Sequence, residues 1–114
     1  MLDASDILAL LDFSLSPEEF QLLLRADAGS VDAQSDMACV FHEANHPEAA
    51  VYLWKLAAEA GNADATQNLG RCYASGDGVV ADEHLAVMWL SKAAAAGHAI
   101  ARDQLDGLLR HRVS

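Results

Sequence analysis

The sequence predicts an all-α fold: a right-handed superhelix, or solenoid, built from antiparallel helix pairs. Three observations point there. Apolar residues make up 53% of the 114 residues while aromatics make up only 6%, so the apolar material is mostly alanine and leucine. Both residues favour helices, and alanine lets helices pack closely, whereas a β domain draws on Val, Ile, Thr and aromatics. The chain also repeats itself. Residues 55–70 match residues 91–106 at seven of sixteen positions with an offset of 36, and residues 23–38 match 55–70 at an offset of 32. A period of this size is the mark of stacked helix pairs. Finally, Gly29, Gly61 and Gly97 each follow an alanine-rich run, where a helix can end on a left-handed residue without a Cβ clash.

Each element can be read in turn. A first helix is expected at roughly 3–12; this stretch is apolar but carries Asp3, Asp6 and Asp12 and lacks the basic start of a secretion signal. The second, at 17–28, opens with Ser16 as N-cap, Pro17 at the first helical position and Glu19 where a capping box places its carboxylate. The third, at 31–44, carries Ala33, Met37, Val40 and Phe41 at helical spacing. Pro47 opens the fourth, at 47–60. The fifth, at 63–74, repeats the stripe as Ala65, Leu69, Cys72 and Tyr73. Asp82 caps the sixth, at 82–96, and the last, at 99–111, carries Ala101, Leu105, Leu108 and Leu109. The earlier copy is four residues shorter than the later one, and the missing piece falls at the loop around Gly76 and Gly78, where a length change costs little.

A chain of this length forms a single domain with one shared core. Residues 1–28 read as amino-terminal capping helices, or a degenerate unit, and residues 29–114 as about two and a half repeats. The formal charge of −10 argues against a nucleic-acid or anionic-membrane surface, because such surfaces need clustered Lys and Arg. The charge is concentrated: residues 1–50 hold ten acids and one base, Arg25, while residues 51–114 hold seven acids and six bases. Asp27, Asp32, Asp36, Glu43 and Glu48 would steer a partner with a basic surface, although the same charge also serves solubility. Cys39 and Cys72 have neither disulfide-framework nor zinc-site spacing and read as buried, inert thiols. No stretch is long enough to span a membrane, and a cytoplasmic setting is expected.

Ala86, Trp89, Lys92, Ala93, Ala94, Gly97, His98, Ala99, Ala101 and Leu105 form the last copy of a pattern. Its middle copy is Ala50, Trp54, Ala57, Ala58, Gly61, Ala63, Ala65, Leu69 and Gly70, with the loop Gly76, Asp77, Gly78, Val79 and then Asp82. Together these residues resemble the Sel1-like repeat, a relative of the tetratricopeptide repeat. The first copy departs from the pattern, with no aromatic pair at 17–28 and no glycine loop after Phe41. The resemblance implies an adaptor or regulator that holds other proteins on a concave surface, often in bacterial signalling or secretion, and it brings no catalytic residue and no cofactor.

One motif points to chemistry instead. His42, Glu43 and His46 satisfy HExxH, in which two His one helical turn apart bind zinc and Glu acts as general base. Pro47 follows directly and disfavours helical dihedrals at His46. The repeat register also puts residues 45 and 46 in a turn, and no third ligand has a recognisable spacing. His98 reads as a turn or capping residue, His84 and His111 as solvated, and Gly29, Gly61, Gly76, Gly78 and Gly97 as structural turns.

Trp54 and Trp89 are offset by 35 and read as core residues on adjacent positions of one helix face. Tyr52 and Met88 are equivalent at 36 and can be read either as core or as the lining of a binding groove, with Lys55, Glu59, Ser91 and Lys92 as its polar rim. The last helix, with Leu105, Leu108, Leu109 and Val113, would need self-association or a docked partner unless the preceding helix covers its leucines. The expected function is therefore a protein-protein interaction module: an adaptor, a regulator, or a binder of the chaperone or immunity type. Zinc hydrolysis through His42, Glu43 and His46, and a structural homo-oligomer, are the two alternatives.

Overall fold

The computed structural model describes residues 15–113, and their side chains as far as residue 110. The helix expected at 3–12 lies outside the described residues. The rest of the chain forms α1 (Pro17–Asp27), α2 (Val31–Glu43), α3 (Pro47–Glu59), α4 (Ala63–Ser75), α5 (Glu83–Ala95) and α6 (Ala99–Val113), with no strand among the described residues. The result is the all-α repeat fold that the sequence predicts, drawn out along one axis to extents of 47 × 24 × 21 Å. No helix among the described residues is long and apolar enough to cross a membrane.

Local chemistry sets the helix starts. At α1, Glu19 N–H donates to Ser16 Oγ at 3.1 Å and Ser16 N–H donates to Glu19 Oε1 at 2.9 Å, closing the reciprocal capping box. Ser30, Asn62 and Asp82 cap α2, α4 and α5 through their side-chain oxygens, and Pro47 occupies the first turn of α3. His98 caps α6, its Nδ1 accepting from Ala101 N–H at 3.3 Å. The five turn glycines all have positive φ. The four-residue difference between units is visible directly, since three residues join α2 to α3 and seven join α4 to α5.

Consecutive helices pack against one another, and α4 also touches α6. Hydrogen bonds from Asn62 Nδ2 to Asp32 Oδ1 (3.3 Å) and from Gln67 Nε2 to Gln104 Oε1 (2.8 Å) tie α2, α4 and α6 side by side along one face. The main core runs from Leu23 through Met37, Phe41, Trp54 and Leu69 to Trp89, and a smaller one joins Leu90, Ala93 and Ala101. Leu105 and Leu108 pack on this smaller cluster, so α5 covers much of the apolar side of α6, while Leu109 stays 40% exposed.

Candidate partner-binding face

Between α2 and α4 the indole of Trp54 comes up from α3 and fills the junction. Its ring lies 5.5 Å from the His42 ring and 5.8 Å from the Arg71 guanidinium, measured between centroids and to the carbon respectively. His42 Nε2 pairs with Asp77 Oδ2 at 2.7 Å, and Arg71 Nη1 reaches the same oxygen at 3.5 Å. The contact with His42, followed by that with Arg71, holds the Asp77 carboxyl below its ordinary range against the opposing effect of partial burial. Trp54 is 2% exposed, and its Nε1–H makes no full hydrogen bond. The nearby Cys39 thiol feels it as a donor that favours the thiolate.

Cys39 is exposed, which corrects the expectation of two buried thiols; Cys72 is buried. Burial pushes Cys72 up to about 11. Cys39 is also raised, first by partial burial and then by the negative fields of Asp36 and Glu43, with Asp64 adding a smaller push. Asp36 and Glu43 stand exposed on α2, about one turn to either side of Cys39, and Asp64 stands exposed in the first turn of α4. Three acids from two successive units thus share one face, with Asp32 beside them on Asn62. Two of the five predicted steering residues lie apart, Asp27 at the end of α1 and Glu48 in the first turn of α3.

The predicted groove residues fall on the other helices. Tyr52, Lys55 and Glu59 lie on α3, and Met88, Ser91 and Lys92 on α5. Each of these two helices packs on α4. Tyr52 is half-buried against the main core, Met88 is 39% exposed, and Lys55, Glu59, Ser91 and Lys92 are exposed. Lys92 Nζ sits 5.0 Å from the centre of the Trp89 ring.

The HExxH reading fails on geometry. Helix α2 ends at Glu43, Asn45 turns to φ 68°, and His46 has the non-helical φ −120° and ψ 69° of the residue preceding Pro47. The two histidines therefore do not share a helical turn, and His42 is directed to Asp77. Among the described residues no group of three His, Cys, Asp or Glu could hold a metal ion.

The roles of Arg71 and Asp77 were missed by the sequence reading. Both His–Asp pairs, His42 with Asp77 and His98 Nε2 with Asp64 Oδ1 (2.8 Å), span about one repeat. A search for opposite partners 34 or 35 residues apart would have found them.

A hollow lies between α4 and α6. It has a volume of about 260 Å³ and is lined by Arg71, Ala74, Leu90, Gln104, Gly107 and Leu108.

The Sel1 repeat family model matches residues 31–62 and 63–98, more than half of the chain. Among solved structures, the chain is similar to a Sel1 repeat protein from Oxalobacter formigenes, with 34% identity and a TM-score of 0.77 over 89% of this chain. The match covers 32% of that protein, so this chain spans about a third of its length. No curated protein matches the chain.

Proposed function

The chain belongs to the Sel1 repeat family, typically non-enzymatic and generally a family of protein-interaction modules, and we propose that it binds a basic segment of another protein on the face formed by α2, α4 and α6. One observation carries this reading: Asp36 and Glu43 stand exposed on α2 on the side of Cys39, and Asp32 and Asp64 stand exposed at the starts of α2 and α4, which the Asn62–Asp32 hydrogen bond ties together. Exposed carboxylates on one face favour Lys or Arg in a partner and speed encounter, an effect that salt weakens over a screening length of about 10 Å at 0.1 M. A cytoplasmic adaptor, regulator or immunity-type binder of a basic protein suits such a face.

The positions of α6 that would receive a further helix pair bear on self-association. Asp106 stands where α2 has Ala38 and α4 has Gly70, both buried under the helix that follows. Arg102 and Asp103 stand where α4 has the buried Thr66 and Gln67. Charges at these seats disfavour end-to-end stacking of a second copy, because burying them unpaired is costly. The other surface, with Tyr52, Lys55 and Glu59 on α3 and Met88, Ser91 and Lys92 on α5, is the second reading, favoured by the exposure of Met88 beside the Trp89–Lys92 pair.

Titration of a lysine-rich peptide at low and high salt tests both readings. Asp36→Lys with Glu43→Lys should weaken low-salt binding about tenfold or more, as expected from losing two exposed ion pairs worth up to ~1 kcal/mol each. Binding that ignores this reversal but fails in Met88→Ala would move the site to α3 and α5.

A further inference from the structure

The two junctions along the α2, α4, α6 face are built to one plan but filled differently. With the 36-residue offset between α3 and α5, Leu90 is the counterpart of Trp54. By the 32-residue offset between α2 and α4, Ala74 is the counterpart of His42, and by the 36-residue offset between α4 and α6, Gly107 is that of Arg71. At the first junction the indole of Trp54 occupies the space between the helices, with His42 and Arg71 against it. At the second junction all three positions carry smaller residues. The space that an indole, an imidazole and a guanidinium fill at the first becomes the hollow of about 260 Å³ floored by Leu90. Its lining residues are apolar except for Arg71 and Gln104.

We infer that this hollow receives one aromatic side chain of the bound protein segment, seated as Trp54 is seated at the preceding junction. This inference rests on the proposed binding face. Three features favour an aromatic ring over other occupants. The volume lies below the roughly 300–1,000 Å³ of ordinary small-molecule pockets and suits a single large side chain. Arg71, whose guanidinium lies over the Trp54 ring, also lines the hollow, so a ring seated there would have the same side chain beside it. Gln104 brings a side-chain amide to the lining, and its carbonyl oxygen, which accepts from Gln67 Nε2, has a second lone pair for an indole N–H or phenol O–H. Asp36 and Glu43 lie along the same face on α2, and Asp64 stands at the start of α4, so the segment that fits both features carries an aromatic anchor flanked by lysine or arginine.

Gly107 makes the test clean. It lies within α6, and a Cβ added there meets nothing within 4 Å, so a side chain enters open space at the hollow. The probes are the blocked tripeptides Lys-Trp-Lys and Lys-Ala-Lys, titrated into the 114-residue chain while the backbone amide shifts are followed by NMR. Lys-Trp-Lys should shift the amides of Arg71, Gln104 and Gly107 and Lys-Ala-Lys should not; Gly107→Leu should abolish these shifts and Gly107→Ala should reduce them. Thermal melts of both variants, expected at or above the parent, confirm that they are folded. If Gly107→Leu does not fold, the graded loss in Gly107→Ala carries the test. Equal shifts from both tripeptides at the hollow, no shifts there, or shifts that survive in the folded substitution overturn the inference. Shifts from both confined to Asp36, Glu43 and Asp64 would remove the aromatic pocket and leave the acidic binding face standing. Shifts at the hollow without any salt-sensitive binding of the lysine-rich peptide would do the reverse.

Discussion

Gly78→Ala is expected to be among the most damaging single-methyl additions in the molecule, and the reason can be worked from its surroundings. Gly78 has φ +76°, and its Cβ would lie 2.5 Å from the Pro47 carbonyl oxygen, 2.7 Å from the Pro47 carbonyl carbon and 2.9 Å from Val51 Cγ2. Pro47 forms the first turn of α3 and Val51 is buried beneath it. The obstacle is therefore largely backbone fixed in a helix, and it cannot swing aside as a side-chain end would. A left-handed residue with a Cβ costs roughly 1–2 kcal/mol, and overpacking against fixed neighbours adds about 1–3 kcal/mol. The sum is about 2–5 kcal/mol, a large share of the ~5–15 kcal/mol that holds a domain folded. Gly76→Ala is the control: it has the same φ of +76°, but its Cβ would meet nothing closer than Ala81 Cβ at 3.4 Å. It should lose only the conformational part, about 1–2 kcal/mol. Urea unfolding followed by far-UV circular dichroism reads the difference; with a slope of ~1–3 kcal/mol/M, the Gly78→Ala midpoint should fall roughly 1 M below that of Gly76→Ala. Equal midpoints would refute the packing argument and leave only backbone strain.

Two further outcomes follow from the titrating groups. The two thiols should label at very different rates with a disulfide reagent at mildly alkaline pH: Cys39 slowly in the folded protein, and Cys72, buried and pushed up to about 11, only on unfolding. Asp36→Asn with Glu43→Gln should speed the labelling of Cys39, because their charges hold its thiol protonated, and first labelling at Cys72 would contradict the burial. Asp77→Asn should lower the melting temperature at neutral pH. Asp77 titrates lower when folded than when unfolded, so its contribution is present above the unfolded aspartate value of about 3.9 and lost as pH falls through the lower folded value. The gap between variant and parent should therefore close only below about pH 4, and a gap that closes near pH 6 would assign the effect to another group.

What could be read in advance was whatever one helix decides by itself. Ser16 with Glu19, Pro47 and Asp82 fix helix starts through contacts within three or four residues, and such contacts are written in the sequence. What could not be read without the register was which side of a helix a residue shows. Cys39 and Cys72 look like a repeated pair, but they are 33 residues apart where the repeat is 32, so Arg71 answers Cys39 and Cys72 answers Val40. One residue of slip turns a side chain by about 100° around the helix, enough to expose Cys39 and bury Cys72. The tryptophans show the same effect with a slip in the other direction. Trp54 turns toward His42 and Arg71 at the α2–α4 junction, while Trp89, one position earlier in its own unit, answers Leu53 and lies beneath Lys92. The groove anticipated from Tyr52 and Met88 rests on the 36-residue register, which places the two residues at equivalent positions of α3 and α5. The cross-links from Asn62 to Asp32 and from Gln67 to Gln104 depend on which helices stand side by side, and no local pattern encodes that.

The same register explains why one face can combine a rigid part with a receptive one. At the α2–α4 junction, Trp54 is held from below by α3 and flanked by His42 and Arg71, which meet on Asp77 in the loop that Gly78 presses against Pro47. Loop, indole and ion pair brace each other, so removing any one loosens the others, and the acids of α2 are presented from a fixed base. At the α4–α6 junction no equivalent plug exists, because Leu90 cannot reach as far as an indole and Gly107 projects nothing. Closure there is left to Gln67 with Gln104 and His98 with Asp64, polar contacts at the junction's margin. A partner anchored at the second junction would insert its own ring where the chain supplies none, and would meet a surface already shaped by its braced neighbour. Ordering costs fall mainly on the ligand when the receptor is pre-organised. Trp54→Leu should therefore weaken partner binding even though a 2%-exposed side chain has almost no surface to offer a ligand. A variant that unfolds at a lower urea concentration yet binds with unchanged affinity would show that the bracing serves stability alone.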